Sequence, residues 1–343
     1  MDDLAYTAVR ESVAATRARH VRALRISGGD GAWETISALT SGELFLRDKQ
    51  LVHTLWLDER AHPIFDAYVL RDDEAFVVVG EADAVDPVEH ARAHLLGGAV
   101  LEDLAPTHEI VSLTGPFAWE LLAELYGAEV VGLPYLGAFD QEAGWVIRAG
   151  KTGEYGYDLV LPKRAAEDVV RRLDAIGPSF GLAWAELDVL EQCMLENWFF
   201  NVRREGRGDV TPLELQLQWR ATRQRAFVGS ESLATRRAAG VARRLVTLVS
   251  ESAMRLGDDV TLFGERVGVI ANAGATKLGD VHVALAFVDR AWAHSGVDDF
   301  AIGGAPARSV TPPLPNNRSL FVNPQQHSYA TRDEIAFPPL FDR

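Results

Sequence analysis

Apolar and polar residues alternate in short runs over the first part of the chain, which is the period of half-buried strands. Val21-Arg-Ala-Leu-Arg-Ile26, Leu51-Val-His-Thr-Leu-Trp-Leu57 and Ile64-Phe-Asp-Ala-Tyr-Val-Leu70 each read as a strand, and Phe76-Val-Val-Val79 as a short buried one. Turns are expected at 28–31, 58–63 and 72–74, where Gly, Pro and acidic residues gather, and helices over 32–39 and 87–96. A second mixed unit begins near 109–113. It takes in helices over 116–125 and 165–176, with Tyr157, Leu159 and Leu161 on the buried face of a further strand. An apolar-rich helix carrying Glu186, Asp188, Glu191 and Glu196 is expected over 182–200, then a charged loop over 201–211. Beyond Ala239-Gly240, the runs 241–249, 259–263, 266–271 and 281–288 have the spacing of a small all-β domain. The chain is therefore expected to be α+β, with one subdomain over 1–108, a second over 109–238 and a β domain over 239–310. A polar tail over 311–343 wraps back over the body or stays partly loose.

Composition narrows the function classes. The chain's 343 residues are enough for two or three modules with their own cores, and 48% hydrophobic content is that of a globular protein. A net charge of −15 argues against a nucleic-acid partner, since such binding needs concentrated Lys and Arg. A small-molecule substrate is expected instead. Cys193 is the single cysteine, so neither an internal disulfide nor a thiolate zinc site can be built. His90 and His94, four apart on an expected helix, do not make a metal motif by themselves, and no metal is expected. No Gly-rich phosphate loop is present. The first residues lack a basic segment leading into an apolar one, and no apolar run reaches membrane-spanning length, so a soluble, cytoplasmic protein is expected, with a homo-oligomer allowed.

Candidate chemistry sits on two carboxylates. In Arg148-Ala-Gly-Lys-Thr-Gly-Glu-Tyr-Gly-Tyr157, Glu154 lies on a glycine-flanked turn between two strand-like runs, where it either faces a ligand or is solvated at the tip of an ordinary hairpin. Asp66 stands inside an apolar strand, so it either faces water or needs a buried partner. Gln50, His53 and Arg71 are polar residues on the same hairpin that suit a pocket lining. Trp198, in Asn197-Trp-Phe-Phe200, either flanks a flat ligand or packs in a core.

Five segments in order carry a resemblance. They are Thr114-Gly-Pro-Phe-Ala118, the glutamate turn, Thr211-Pro-Leu-Glu214, Ala226-Phe-Val-Gly-Ser-Glu-Ser-Leu233 and Val267-Gly-Val-Ile-Ala-Asn-Ala-Gly274. Together they resemble the folate-dependent aminomethyltransferases, the T-protein of glycine cleavage and its demethylase relatives. The resemblance implies two α+β subdomains around a central folate pocket, a C-terminal β-barrel and tetrahydrofolate as cofactor. It places Glu154 on the amino edge of the pterin and the regions of Gln50, His53 and Arg71 around the folate and substrate; with that placement Tyr157 is expected to add an aromatic wall and Trp198 to flank the flat ligand. Asp66 falls beside the reactive nitrogen; the needs of methyl transfer then make Asp66 the expected proton acceptor and His53 the expected proton donor to the leaving atom. The chain departs from the family pattern in Val189-Leu-Glu-Gln-Cys-Met-Leu-Glu196, where Leu190 stands in place of an arginine that would hold a carboxylate. That departure favours methyl transfer from a small oxygen-, nitrogen- or sulfur-methyl donor to tetrahydrofolate over glycine cleavage. The alternatives are a noncatalytic folate-binding protein, whose Lys-Gly-Cys-Tyr signature is absent, and a member that has lost folate for another small-molecule reaction.

Overall fold

The computed structural model describes residues 2–141 and 144–341. Two antiparallel-rich sheets face each other, each with helices on its outer side, and a closed barrel packs beside them. The first sheet has five strands in the order Leu51–Leu57, Pro63–Asp72, Ala75–Ala82, Val21–Ser27, Val100–Asp103. The second has six, in the order Leu182–Trp184, Val13–Arg17, His108–Thr114, Gly156–Pro162, Gly144–Ile147, Ala138–Gln141. The strand Val13–Arg17 thus belongs to the second sheet although it precedes the first in the chain, and the chain crosses between sheets at Arg19 and His20.

Strand alternation sorts side chains into three layers. Leu24, Ile26, Phe65, Val69 and Val78 point outward under the helices Asp30–Leu39 and Pro87–Ala93. Val111, Leu113, Leu159 and Leu161 point outward under Ala118–Tyr126 and Lys163–Ile176. Between the sheets lie Ala23, Tyr68, Leu70, Val77 and Val79 from one and Ile110, Trp145, Ile147 and Val160 from the other. Both faces of each sheet are therefore covered, and a charge on the inner face has to find a partner within the protein.

One expected element differs. The helix foreseen over 182–200 begins only at Leu187 and ends at Asn197. Leu182–Trp184 instead pairs in parallel with Val13–Ala15, because the edge of the six-stranded sheet offers a backbone ladder that the residues before Glu186 complete. Trp198 closes the helix in a left-handed conformation, φ 57°, and packs against the barrel-side core.

The barrel closes in the order Arg243–Ser250, Val281–Asp289, Glu265–Leu278, Asp259–Leu262, Phe300–Ile302, Ala305–Val310. Its inside is filled by Leu248, Val260, Ile270, Ala284 and Phe300. Its outer face presents Leu245, Leu285 and Phe287 to Leu55, Leu57, Phe200, Val210 and Leu215. The tail runs back over the body, held by Leu314 N–H donating to Glu196 O (3.0 Å) and Tyr329 N–H to Glu120 Oε2 (2.6 Å). Among the described residues no helix is long and apolar enough to cross a membrane.

Candidate functional site

The register of the two sheets places polar groups opposite one another at one end of the layer between them. In the first sheet Asp66 pairs with Glu81 across adjacent strands. In the second, Thr16 pairs with Ser112 and Ser112 with Asp158. These residues line a central cavity together with His20, Lys151, Tyr157 and the apolar Val21, Val79, Leu190 and Met194.

Asp66 is held by two cations and an imidazole. Lys151 Nζ donates to its Oδ2 at 2.9 Å, Arg220 Nη1 to its Oδ1 at 2.9 Å, and His53 Nε2 lies 2.8 Å from the same Oδ1. Burial pushes this carboxyl up, but Lys151, His53 and Arg220 together outweigh burial and hold it well below the usual carboxylate range. Asp66 is thus a permanent anion and a weak base. Arg220 Nη2 also donates to His53 Nδ1 at 3.2 Å, which leaves the ring proton on Nε2, facing Asp66. Burial drives the imidazole down to about 4 against the pull of Asp66, so His53 is neutral and both its nitrogens are engaged. It stacks on Tyr68 at 4.2 Å, off the wall of the central cavity.

Lys151 bridges the pair, reaching Glu81 Oε1 at 3.0 Å, and Arg203 Nη1 lies 2.8 Å from Glu81 Oε2. Arg203 then meets Glu191, which also binds Arg204. Charges alternate along this chain from Arg220 to Arg204, so none is left unneutralised in the interior.

Asp158 is different. Its Oδ1 accepts from Ser112 Oγ at 2.5 Å, and it has no ion pair among the described residues. Burial raises it to about 6 in spite of the Ser112 bond. It is the cavity carboxylate with acceptor capacity to spare for a ligand.

Glu154 is buried but turned the other way. Its carboxylate accepts from Arg318 N–H (3.1 Å), Ser319 N–H (2.8 Å) and Ser319 Oγ (2.5 Å), with Arg10 Nη1 at 3.8 Å. The acid on the glycine turn pins the tail; it borders an outer groove with Tyr135, Arg148, Tyr155, Phe199 and Leu320, outside the central cavity. Gly156 lets the turn fold tightly, since a Cβ there would stand 2.5 Å from Ala149 O.

Of the other residues singled out in the sequence, Tyr157 lines the central cavity. Gln50 is exposed and accepts from Arg47 N–H, and Arg71 donates to Leu46 O on the far side of its sheet; neither reaches the cavity. Trp198 packs in the core against the barrel. Leu190 does line the cavity, as an apolar wall. Sequence reading missed Asp158, Lys151, Glu81, His20 and Arg220. The signal for two of them was the same glycine turn, since Lys151 and Asp158 flank Glu154, but alternation marked Tyr157, Leu159 and Leu161 as the buried face and gave no sign that the face bearing Asp158 meets the other sheet. Among the described residues no cluster of three or more His, Cys, Asp or Glu could hold a metal ion.

Comparison with known proteins follows the same architecture. The model of the family described as GCVT N-terminal domain matches residues 5–225. The aminomethyltransferase of Mycobacterium tuberculosis (strain ATCC 25618 / H37Rv) is 28% identical over 307 residues, covering 86% of this chain and 81% of that protein. That of Mycobacterium avium (strain 104) is 27% identical over 297 residues, covering 83% and 79%. The crystal structure of glycine cleavage system aminomethyltransferase T from Bartonella henselae superposes with a TM-score of 0.79 at 23% identity, covering 90% of this chain and 88% of that one, and so shares the fold. With a family match over most of its length, two facing α+β sheets and a closed C-terminal barrel, this chain belongs to the aminomethyltransferase family of folate-dependent one-carbon transferases.

Proposed function

We propose that the protein binds tetrahydrofolate between its two sheets and transfers a one-carbon unit, a methyl group from a small oxygen-, nitrogen- or sulfur-methyl donor, to it. The observation that carries this reading is the single unpaired carboxylate of the cavity, Asp158, on a wall that also offers Ser112 and Thr16. A reduced pteridine presents an amino group and ring N–H donors along one edge, which a carboxylate accepts as a pair, and burial strengthens such charge-assisted bonds. Tyr157, Leu190 and Met194 supply apolar surface for the ring faces. The grip assigned to Glu154 from the sequence is thus better offered by Asp158. When bound, the folate supplies a nucleophilic secondary amine. Asp66, kept ionised by Lys151 and Arg220, stabilises positive charge nearby without taking the proton itself.

Ligand binding to the native state raises stability by mass action, about 2.7 kcal/mol at a hundredfold excess over Kd. Tetrahydrofolate should therefore raise the melting temperature of the wild type, and Asp158→Asn should lose most of that protection. Methyl-tetrahydrofolate formation from candidate donors then identifies the donor class. A wild-type melt unmoved by tetrahydrofolate would overturn the folate reading.

A further inference from the structure

Proton handling in the central cavity needs a group that the two obvious candidates cannot provide. Asp66 is held by three positive or hydrogen-donating partners, and His53 has both ring nitrogens committed to Asp66 and Arg220. Both are fixed parts of a charge network, and any proton they took up would break it.

His20 is the imidazole that lines the cavity wall. It sits in the turn where the chain leaves Val13–Arg17 in one sheet and enters Val21–Ser27 in the other, so it stands at the joint between the two facing sheets. The turn is set by Arg19 N–H donating to Arg17 O at 2.8 Å and Val21 N–H to Ala18 O at 2.9 Å. The ring makes no hydrogen bond to any described residue, and the residue is half-buried on the cavity wall. The charged groups facing it are Glu81, Arg203, Lys151 and Glu191. Burial, with Arg203 and Lys151, lowers its pKa, while Glu81 and Glu191 pull it up, and the net effect is a ring that is neutral at physiological pH. A neutral imidazole with free nitrogens, partial exposure and a carboxylate on the same cavity wall to steady its charged form has the attributes of a proton carrier.

We propose that His20 is the proton-carrying residue of the central cavity, accepting at a ring nitrogen the proton that a ligand amine releases there and returning it to solvent. The inference rests on the folate reading. As the amine forms its new bond to carbon, the bond from that carbon to the donor atom breaks with its electron pair leaving on the donor. The amine, now cationic, gives its proton to the imidazole. Glu81, already anionic between Lys151 and Arg203, stabilises the imidazolium, which water then deprotonates.

The test is nitrogen NMR of the histidine rings in wild-type protein, with the His20 signals assigned by their loss in His20→Gln. That substitution breaks no hydrogen bond to a described residue, so folding should survive it. Tetrahydrofolate and methyl-tetrahydrofolate are added separately. The first carries an N–H at the reacting nitrogen and the second a methyl group. Expected is a shift of one His20 ring nitrogen with tetrahydrofolate, of the sign for accepting a hydrogen bond, that methyl-tetrahydrofolate does not produce. If tetrahydrofolate protects the protein against heat but leaves the His20 signals where they were, or if both folates move them alike, the proton-carrying role is wrong and the folate reading stands. If neither folate protects against heat, the folate reading fails and this inference falls with it.

Discussion

Asp66 acts as a permanent charge, and that fixes what its removal should do. Asp66→Asn keeps the shape but leaves the nearly inaccessible Arg220 without its anion and Lys151 with Glu81 alone, which Arg203 shares. Breaking a buried pair from one side costs about 3–5 kcal/mol because the orphaned charge stays behind. Urea unfolding should therefore show a loss of that order, larger than for a surface aspartate such as Asp140; a loss under about 1 kcal/mol would mean water reaches the network freely. Asp158→Asn should do the opposite. Its carboxyl is near 3.8 when unfolded and about 6 when folded, so as pH rises from about 4 to 6 the unfolded state gives up its proton first and the native state loses stability. Wild type should fall below Asp158→Asn in thermal melts above pH 6 and match it below pH 4, by up to about 3 kcal/mol less whatever the cavity water screens. A residue that destabilises its own free protein is a signature of a site kept for a ligand. Equal pH dependence in the two proteins would remove Asp158 as the unpaired acid.

At the scale of elements, the glycine turn and the tail form one device. Glu154 takes three donors from Arg318 and Ser319, Tyr155 N–H donates to Ser319 Oγ at 2.8 Å, and Tyr155 OH to Val322 O at 2.9 Å. Glu154→Ala should free the tail, so that limited proteolysis cuts within 311–341 at least several-fold faster, while heat protection by tetrahydrofolate persists. Loss of that protection with an intact tail would return Glu154 to the ligand. The strand Leu51–Leu57 was legible because its alternation starts and stops with its hydrogen-bonded ladder. The strand Val13–Arg17 was not, since its residues are buried on both faces and include two alanines, leaving no period to read. The same double coverage hid the site: alternation marks the face under the helices, but nothing local says that the other face meets a second sheet. Asp66 stood out because a charge in an apolar run is costly, whereas Asp158 and Glu81 stand beside polar residues or glycines and drew no reading. The resemblance pointed to Glu154 on the glycine turn, whereas the packed sheets bring Asp158, on the strand that follows the turn, to the cavity wall.

At the scale of the whole molecule, the barrel meets the sheets through a buried acid. Glu205, in the loop after Phe200, accepts from Asn201 N–H at 2.7 Å and from Asn272 Nδ2 of the barrel strand Glu265–Leu278 at 3.1 Å. Burial raises this carboxyl to about 7, and the bonds from Asn201 and Asn272 offset only part of that. Folding therefore favours the protonated acid. As pH climbs from about 4.5, where the unfolded chain ionises, to about 7, the contact between barrel and body loses stability, by about 3 kcal/mol when complete. Glu205→Gln keeps an oxygen for Asn201, and Asn272 can turn its amide oxygen toward the new NH2 group, so the junction stays satisfied without a titrating group. Denaturant unfolding at pH 5 and pH 8 should show the wild type losing stability relative to Glu205→Gln across that interval. The Asp158 contribution is present in both proteins and cancels in the comparison, provided the two sites act independently. Parallel stability at both pH values would mean that Glu205 is ionised in the native protein, with its charge balanced by the nearby Lys151, and that the barrel docks through its apolar face alone.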